Sequence, residues 1–252
     1  MNSLERHLRE RRDAGQSSFV PYLMAGMVPD WRDHLEALVA AGAAAVEVGV
    51  PFSDPILDGV VIQRAALASL EAGTTPEGVF AELARRPLGV PVIVMTYFNI
   101  FHHLGMERSA SLLHDAGVSG VIIPDLTLEE AGPWREAVTG RDIDTVLLVA
   151  PSSPEARVEK IARAAQGFVY AASRMAVTGQ AEDTGDAGAV VDRVRRHSDL
   201  PVFVGIGIST PEQARHAYSI ADGAIVGSAL VDRVLRGMSA LETEAFARDF
   251  VL

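Results

Sequence analysis

Short apolar runs alternate with segments of helical periodicity along the whole chain. Each run is continuous rather than strictly alternating, which is typical of parallel strands covered on both faces. Between the runs, segments such as WRDHLEALVAAG (31–42) place apolar residues three and four positions apart, and several of them end on glycine, a common helix stop. The predicted strand runs are residues 19–26, 44–50, 91–97, 120–126, 145–151, 167–173, 201–208 and 223–230.

The chain has eight predicted strands, each followed by a helical segment, within 252 residues, and this number and length match one fold. They predict an α/β fold: a single (β/α)8 TIM barrel with an N-terminal helix and extra short helices, residues 1–252 forming one domain. The N-terminal segment MNSLERHLRERRDAGQ is a charged helical pattern without the apolar core of a signal peptide. No apolar run approaches the roughly 20 residues that span a membrane. We therefore expect a cytoplasmic protein.

The composition of the chain excludes several kinds of chemistry and partner. The chain contains no cysteine, which excludes disulfides, thiolate catalysis and cysteine-ligated metal. The net charge of −11 argues against nucleic acid as a partner. It does not exclude an anionic metabolite, because backbone N–H groups bind phosphate in acidic proteins too.

A cluster of acids follows the second apolar run in VEVGVPFSDPILDG (46–59). Glu47 lies inside the run, and Asp54 and Asp58 follow in the next loop. A carboxylate within a buried strand is costly unless it is paired or used, and two acids in different surroundings have their pKa values pushed apart for acid/base work. The alternative is that Glu47 faces solvent from an edge strand and Asp58 caps a turn.

Further polar residues are predicted at the carboxyl ends of the strands, where barrel enzymes carry their active sites. The glycines after the last two strands, Gly205, Gly207 and Gly227, predict exposed backbone N–H groups that hold a phosphate, with Ser228 as a helix N-cap. The other candidates at the strand ends are Tyr97, Asn99, Asp125, Tyr170, Arg174, Thr178 and Gly179.

The chain does not offer the residues that two classes of aldolase need. The single lysine, Lys160, lies in a helical segment outside the predicted barrel, which excludes a Schiff-base aldolase. His102 and His103 form the one close histidine pair and are interpreted as solvated loop residues, so no metal site is predicted. The residues alone support general acid/base catalysis on a phosphorylated substrate without a cofactor.

In this context the chain closely resembles the tryptophan synthase α subunit family. The resemblance runs from about residue 4 to residue 236 and implies a retro-aldol cleavage of indole-3-glycerol phosphate to indole and glyceraldehyde 3-phosphate. It also implies a tryptophan synthase β subunit as partner, in an α2β2 assembly, with pyridoxal phosphate only in that partner and no cofactor in this chain. The motifs that carry the resemblance are VEVGVPFSDPILDG, MTYFN, GVIIPDLTLEE, VAPSS, GFVYAASRMAVTG, VGIGISTPEQA and ADGAIVGSALV.

The resemblance also assigns roles to individual residues. Glu47 is the acid/base on the glycerol hydroxyl and indole C3, and Asp58 faces the indole N–H. Thr178 falls where a hydroxyl orients that aspartate, and residues 180–188 follow as a candidate mobile lid. The remaining assignments are to substrate binding (Tyr22, Tyr97, Tyr170, Ile206), to phosphate (Gly179, Gly207, Gly227, Ser228) and to contact with the β subunit (Pro51, Asp54, Asn99).

Other functions remain open at this point. The chain can be a stand-alone lyase that supplies indole to a secondary pathway, or a weakly active subunit that binds and activates a partner. A phosphate-sugar binding protein without turnover would have a similar sequence, although retention of both Glu47 and Asp58 argues against the inactive forms. Another phosphate-binding barrel enzyme shares the glycines, but indole-3-glycerol phosphate synthase would need lysines at the mouth, which this chain lacks.

Overall fold

Eight parallel strands form a closed barrel in which every strand pairs with its neighbours in sequence and the last pairs with the first. The computed structural model describes residues 1–172, 187–205 and 207–252. The strands are β1 (Ser18–Met24), β2 (Val46–Gly49), β3 (Val92–Met95), β4 (Val118–Ile122), β5 (Asp144–Val149), β6 (Val169–Ala172), β7 (Val202–Gly205) and β8 (Gly223–Val226).

Helices surround the barrel and cover its outer face. Their apolar sides pack against Val, Leu, Ile and Ala side chains that point outward from the strands, forming one continuous core layer. The helices are α1 (Ser3–Asp13), α2 (Trp31–Ala40), α3 (Val60–Glu71), α4 (Pro76–Arg85), α5 (Phe98–Leu104), α6 (Met106–Asp115), α7 (Gly132–Val138), α8 (Glu155–Ala164), α9 (Ala187–Arg195), α10 (Pro211–Ile220), α11 (Ser228–Leu235) and α12 (Ala240–Arg248).

A second core fills the barrel itself, and helix α1 closes its N-terminal end. Leu4 and Leu8 of α1 are fully buried against inward-pointing side chains. The first turn of α1 is held by acids of β5 and the loop before it. The Ser3 N–H donates to Asp142 (2.8 Å) and the Glu5 N–H donates to Asp144 (3.0 Å). These carboxylates satisfy N–H groups that lack a partner within the helix.

The predicted (β/α)8 barrel and its N-terminal helix are confirmed. Two local predictions are wrong. The last apolar run, 223–230, is a strand only to Val226, and its second half starts helix α11 at Ser228. His102 and His103 lie on helix α5 rather than in a loop, although both are exposed to solvent as expected.

The lid predicted at residues 180–188 falls almost entirely outside the described residues. Its last two residues, Ala187 and Gly188, begin helix α9. Among the residues that the structure describes, no helix is both long and apolar enough to cross a membrane.

Candidate active site

Glu47 lies in the middle of β2 with its side chain inside the barrel. It pairs in register with Tyr22 of β1 on one side and Ile93 of β3 on the other, and it is 1% exposed. Its Oε2 atom has no hydrogen-bond partner among the described residues. Because the barrel is closed, β2 has two neighbours and the edge-strand alternative is excluded.

Burial dominates the electrostatics of Glu47. Desolvation, followed by the nearby negative charge of Asp58, raises its pKa to about 8. The side chain therefore holds its proton at neutral pH and still releases it within a physiological range. A carboxyl group in this condition can serve as either a general acid or a general base.

Asp58 lies in the loop after β2, at the mouth of the barrel, and is half-buried. Burial raises its pKa to about 6, while a hydrogen bond from Tyr97 lowers it. Between pH 6 and 8, Asp58 is therefore largely ionised and Glu47 largely neutral. The structure thus places the two carboxyls in different protonation states, as the sequence predicted for an acid/base pair.

Tyr97 holds the loop that carries Asp58. Its hydroxyl accepts a hydrogen bond from the Leu57 N–H (2.9 Å) and bonds to the Asp58 side chain, and its ring stacks on Phe52 at 5.0 Å between centroids. Burial raises the pKa of Tyr97 to about 12, so the hydroxyl stays protonated and can donate. The sequence placed Tyr97 at the mouth as a substrate-binding residue but offered no sign of this link to Asp58.

Tyr22 and Tyr170 line opposite walls of the mouth, and each lies over a glycine of the next strand. The Tyr22 hydroxyl is 2.1 Å from the point where a Cβ on Gly49 would be, and the Tyr170 hydroxyl is 2.0 Å from the corresponding point on Gly205. Burial raises the pKa of both phenols well above its usual value. These two glycines leave room for the tyrosines.

The predicted phosphate residues lie where β7 and β8 end. Gly207 is exposed and has a φ of +83°, a conformation that favours glycine. Gly227 is the N-cap of α11, so Ser228 is the first helical residue and the prediction that Ser228 itself caps the helix is wrong. Gly205 is buried in β7 beneath Tyr170 and is not part of an exposed loop.

The residues predicted to meet a partner lie on the outer side of the same mouth. Asp54 and Asn99 are exposed, and Asn99 is in the first turn of α5, whereas Pro51 is buried. Asp125, a further candidate at a strand end, accepts a hydrogen bond from the Phe98 N–H (2.9 Å) and so caps α5.

Several predicted residues lie outside the described part of the chain. They are Arg174, Thr178, Gly179 and Ile206. Among the described residues, no group of three or more His, Cys, Asp or Glu side chains is arranged to hold a metal ion.

Comparison with known proteins identifies the family. The family model described as tryptophan synthase alpha chain matches residues 8–249. The tryptophan synthase alpha chain of Thermobifida fusca is 44% identical over 243 residues, which cover 93% of this chain and 90% of that protein. That of Bifidobacterium longum is 46% identical over 224 residues, covering 86% of this chain and 76% of that protein.

Solved structures agree with the sequence comparisons. A chain of the ligand-free tryptophan synthase from M. tuberculosis superimposes with a TM-score of 0.90 at 36% identity, covering 99% of this chain and 98% of that chain. The alpha subunit from Legionella pneumophila superimposes with a TM-score of 0.88 at 29% identity, covering 99% and 97%. With its closed eight-stranded barrel and its buried glutamate, this chain belongs to the tryptophan synthase alpha chain family.

Proposed function

We propose that the mouth of the barrel cleaves indole-3-glycerol phosphate to indole and glyceraldehyde 3-phosphate, with Glu47 and Asp58 as its catalytic residues. The observation that carries this assignment is the state of Glu47: buried, with an unpaired oxygen and a pKa of about 8, beside a carboxyl whose pKa is about 6. A carbon–carbon lyase of the retro-aldol type needs one carboxyl that can both donate and accept a proton, and an ionised carboxyl beside it that offsets the positive charge on the ring.

Glu47 makes both proton transfers. Its carboxylic acid first donates a proton to indole C3, which leaves a positive charge shared with the ring nitrogen. The resulting carboxylate then takes the proton of the hydroxyl on the chain carbon next to the ring. The electrons of that O–H bond form the aldehyde carbonyl, and the bond to C3 breaks as its electrons return to the ring. Glu47 ends the cycle protonated, so no cofactor is needed in this chain.

Asp58 stabilises the charged intermediate. An ionised carboxylate facing the indole N–H offsets the positive charge that appears on the ring when C3 is protonated. The hydrogen bond from Tyr97 favours this ionised form of Asp58. Tyr97 therefore acts as a positioning residue, in addition to lining the substrate site together with Tyr22 and Tyr170.

The phosphate of the substrate is assigned to the loops after β7 and β8. Gly227 lies at the start of α11, where backbone N–H groups are free of partners within the helix, and Gly207 lies in an exposed loop at the end of the neighbouring strand. Ser228 adds a hydroxyl next to them. Gly179 keeps its proposed role at the phosphate, Thr178 its proposed role in orienting Asp58, and Ile206 its proposed role in the indole pocket.

A β subunit of tryptophan synthase is the proposed partner, and it carries the pyridoxal phosphate of the assembly. The loop after β2 supports this contact, because it exposes Ile56 (81%), Leu57 (57%) and Val60 (71%) next to Asp54. Exposed apolar clusters of this kind mark protein-binding surfaces. Asp54 and Asn99 are the polar residues of this surface, whereas Pro51 is buried and supports the loop from within.

Measuring indole release by the isolated chain, with and without a β subunit, tests the assignment. We expect slow release alone and faster release in the complex, since the loop that carries Asp58 also forms the contact. Asp54→Ala should then reduce the activation much more than the basal rate. Fast release with no complex would favour a stand-alone lyase, and no release under either condition would contradict the proposed reaction.

A further inference from the structure

Tyr22 carries a hydroxyl that the reaction described above does not use. The side chain is 3% exposed, and among the described residues the partner of its hydroxyl is the sulfur of Met24, at 3.9 Å. A thioether is a weak acceptor. Buried hydroxyls normally have stronger partners, because leaving one without a partner costs free energy.

The position of this hydroxyl is set by the barrel. Tyr22 and Glu47 are register partners on adjacent strands, so both side chains enter the barrel at the same level. The ring extends toward the mouth over Gly49, which has no side chain to obstruct it. Glu47 Oε2 likewise lacks a partner among the described residues. Within the described part of the chain, these two polar atoms lack a good partner, and the register of their strands directs both side chains into the same space.

One group of the substrate satisfies both atoms. The chain hydroxyl next to the indole ring donates its proton to a base and has lone pairs that accept a hydrogen bond. Resting on the proposed function, we infer that Tyr22 is a further catalytic residue, whose hydroxyl donates a hydrogen bond to this substrate oxygen while Glu47 removes its proton. The oxygen gains negative charge as the proton leaves, and a donor aimed at it stabilises that charge.

The surroundings of Tyr22 keep its hydroxyl protonated, so that it can donate a hydrogen bond. Burial and the neighbouring carboxyls Asp58 and Glu47 raise its pKa well above the usual value, so the phenol remains protonated throughout the working range. It therefore donates without competing with Glu47 for the proton. The Met24 sulfur holds the hydroxyl weakly in the free enzyme and is exchanged for the substrate oxygen on binding.

The test is Tyr22→Phe, which removes the oxygen and keeps the ring. We expect kcat for indole release to fall by roughly 10²-fold or more, the scale of losing one such donor. Affinity for indole-3-propanol phosphate, which has no chain hydroxyl, should remain as in the wild type. Tyr218→Phe is the matched control, because its hydroxyl bonds to the Phe250 carbonyl (2.8 Å), away from the mouth.

Each outcome is decisive. A lower kcat with unchanged affinity for the analogue supports the inference. Full activity in Tyr22→Phe overturns it, and so does a parallel loss of analogue binding, which would show that the hydroxyl shapes the pocket. Absence of indole release from the wild type would contradict the proposed function and overturn the inference with it, whereas full activity in Tyr22→Phe overturns the inference alone.

Discussion

The Tyr22 hydroxyl occupies the space that any side chain at position 49 would need. A Cβ on Gly49 would lie 2.1 Å from the hydroxyl oxygen and 2.7 Å from the ring carbon that bears it. The same relation recurs on the opposite wall between Tyr170 and Gly205. Two small residues thus set where the aromatic walls of the mouth stand, and a substitution there must move a tyrosine.

Gly49→Ala should destabilise the fold, because Tyr22 is enclosed and cannot retreat without strain. Overpacking of this kind costs about 1–3 kcal/mol. Adding Tyr22→Phe removes the closest atom and should recover part of the loss, which denaturant unfolding of the single and double variants will measure. Gly132→Ala is the control, since a Cβ at Gly132 meets nothing within 4 Å. Strict additivity of the two changes would show that the clash is absorbed elsewhere.

Glu47→Gln should abolish indole release while substrate still binds, because the amide keeps the shape of the acid but cannot exchange a proton. Single-turnover assays together with binding measurements check both halves of this expectation. Turnover at the wild-type rate would exclude Glu47 as the proton carrier.

The same substitution should raise stability at alkaline pH. The folded-state pKa of about 8 lies above the usual glutamate value of 4.5, so the folded chain binds this proton more tightly than the unfolded chain. The resulting stabilisation is complete below the unfolded pKa and is lost as the pH rises toward 8. The free energy of unfolding of Glu47→Gln, relative to that of the wild type, should be larger at pH 9 than at pH 5 by on the order of a few kcal/mol. Denaturant unfolding at the two pH values measures this difference. An equal difference at both pH values would contradict the buried-charge argument.

Tyr97→Phe should shift the acidic limb of the pH–rate profile to higher pH. The Tyr97 hydroxyl lowers the pKa of Asp58, which stands at about 6 in its presence. Removing it raises that pKa further, so a higher pH is needed to ionise Asp58. The profile of Tyr218→Phe, which alters a tyrosine remote from Asp58, should match wild type. An unmoved limb in Tyr97→Phe would mean that Asp58 does not control that part of the profile.

Gly227→Val should weaken phosphate binding without unfolding the chain. A Cβ at Gly227 would be 3.5 Å from Tyr22, an ordinary contact. The added methyl groups would crowd the start of α11, where the anion is proposed to bind. Calorimetry with glycerol 3-phosphate measures the loss, with Gly132→Val as the control. Unchanged affinity would place the anion elsewhere.

The fold could be predicted from the sequence because its signals are local and repeated. Continuous apolar runs and helical segments recur eight times, and this count and the chain length match a closed barrel whose parallel strands are covered on both faces. The same signals do not determine where one element ends and the next begins. Residues 223–230 form one apolar run, yet a helix begins within it at Ser228, because hydrophobicity alone does not distinguish a buried strand from the buried face of a helix.

The active site could also be predicted only in part. From the sequence we could predict that Glu47 lies in a buried strand and that Asp58 follows at the mouth of the barrel, since active sites of this fold lie at the strand ends. The folded barrel was needed to show that Tyr97 bonds to Asp58, that Tyr22 is the register partner of Glu47 and that the Tyr22 hydroxyl lies over Gly49. These relations join residues on different strands and loops. They depend on which strands become neighbours and on where each side chain lies once the barrel has closed, and neither is a property of one local segment.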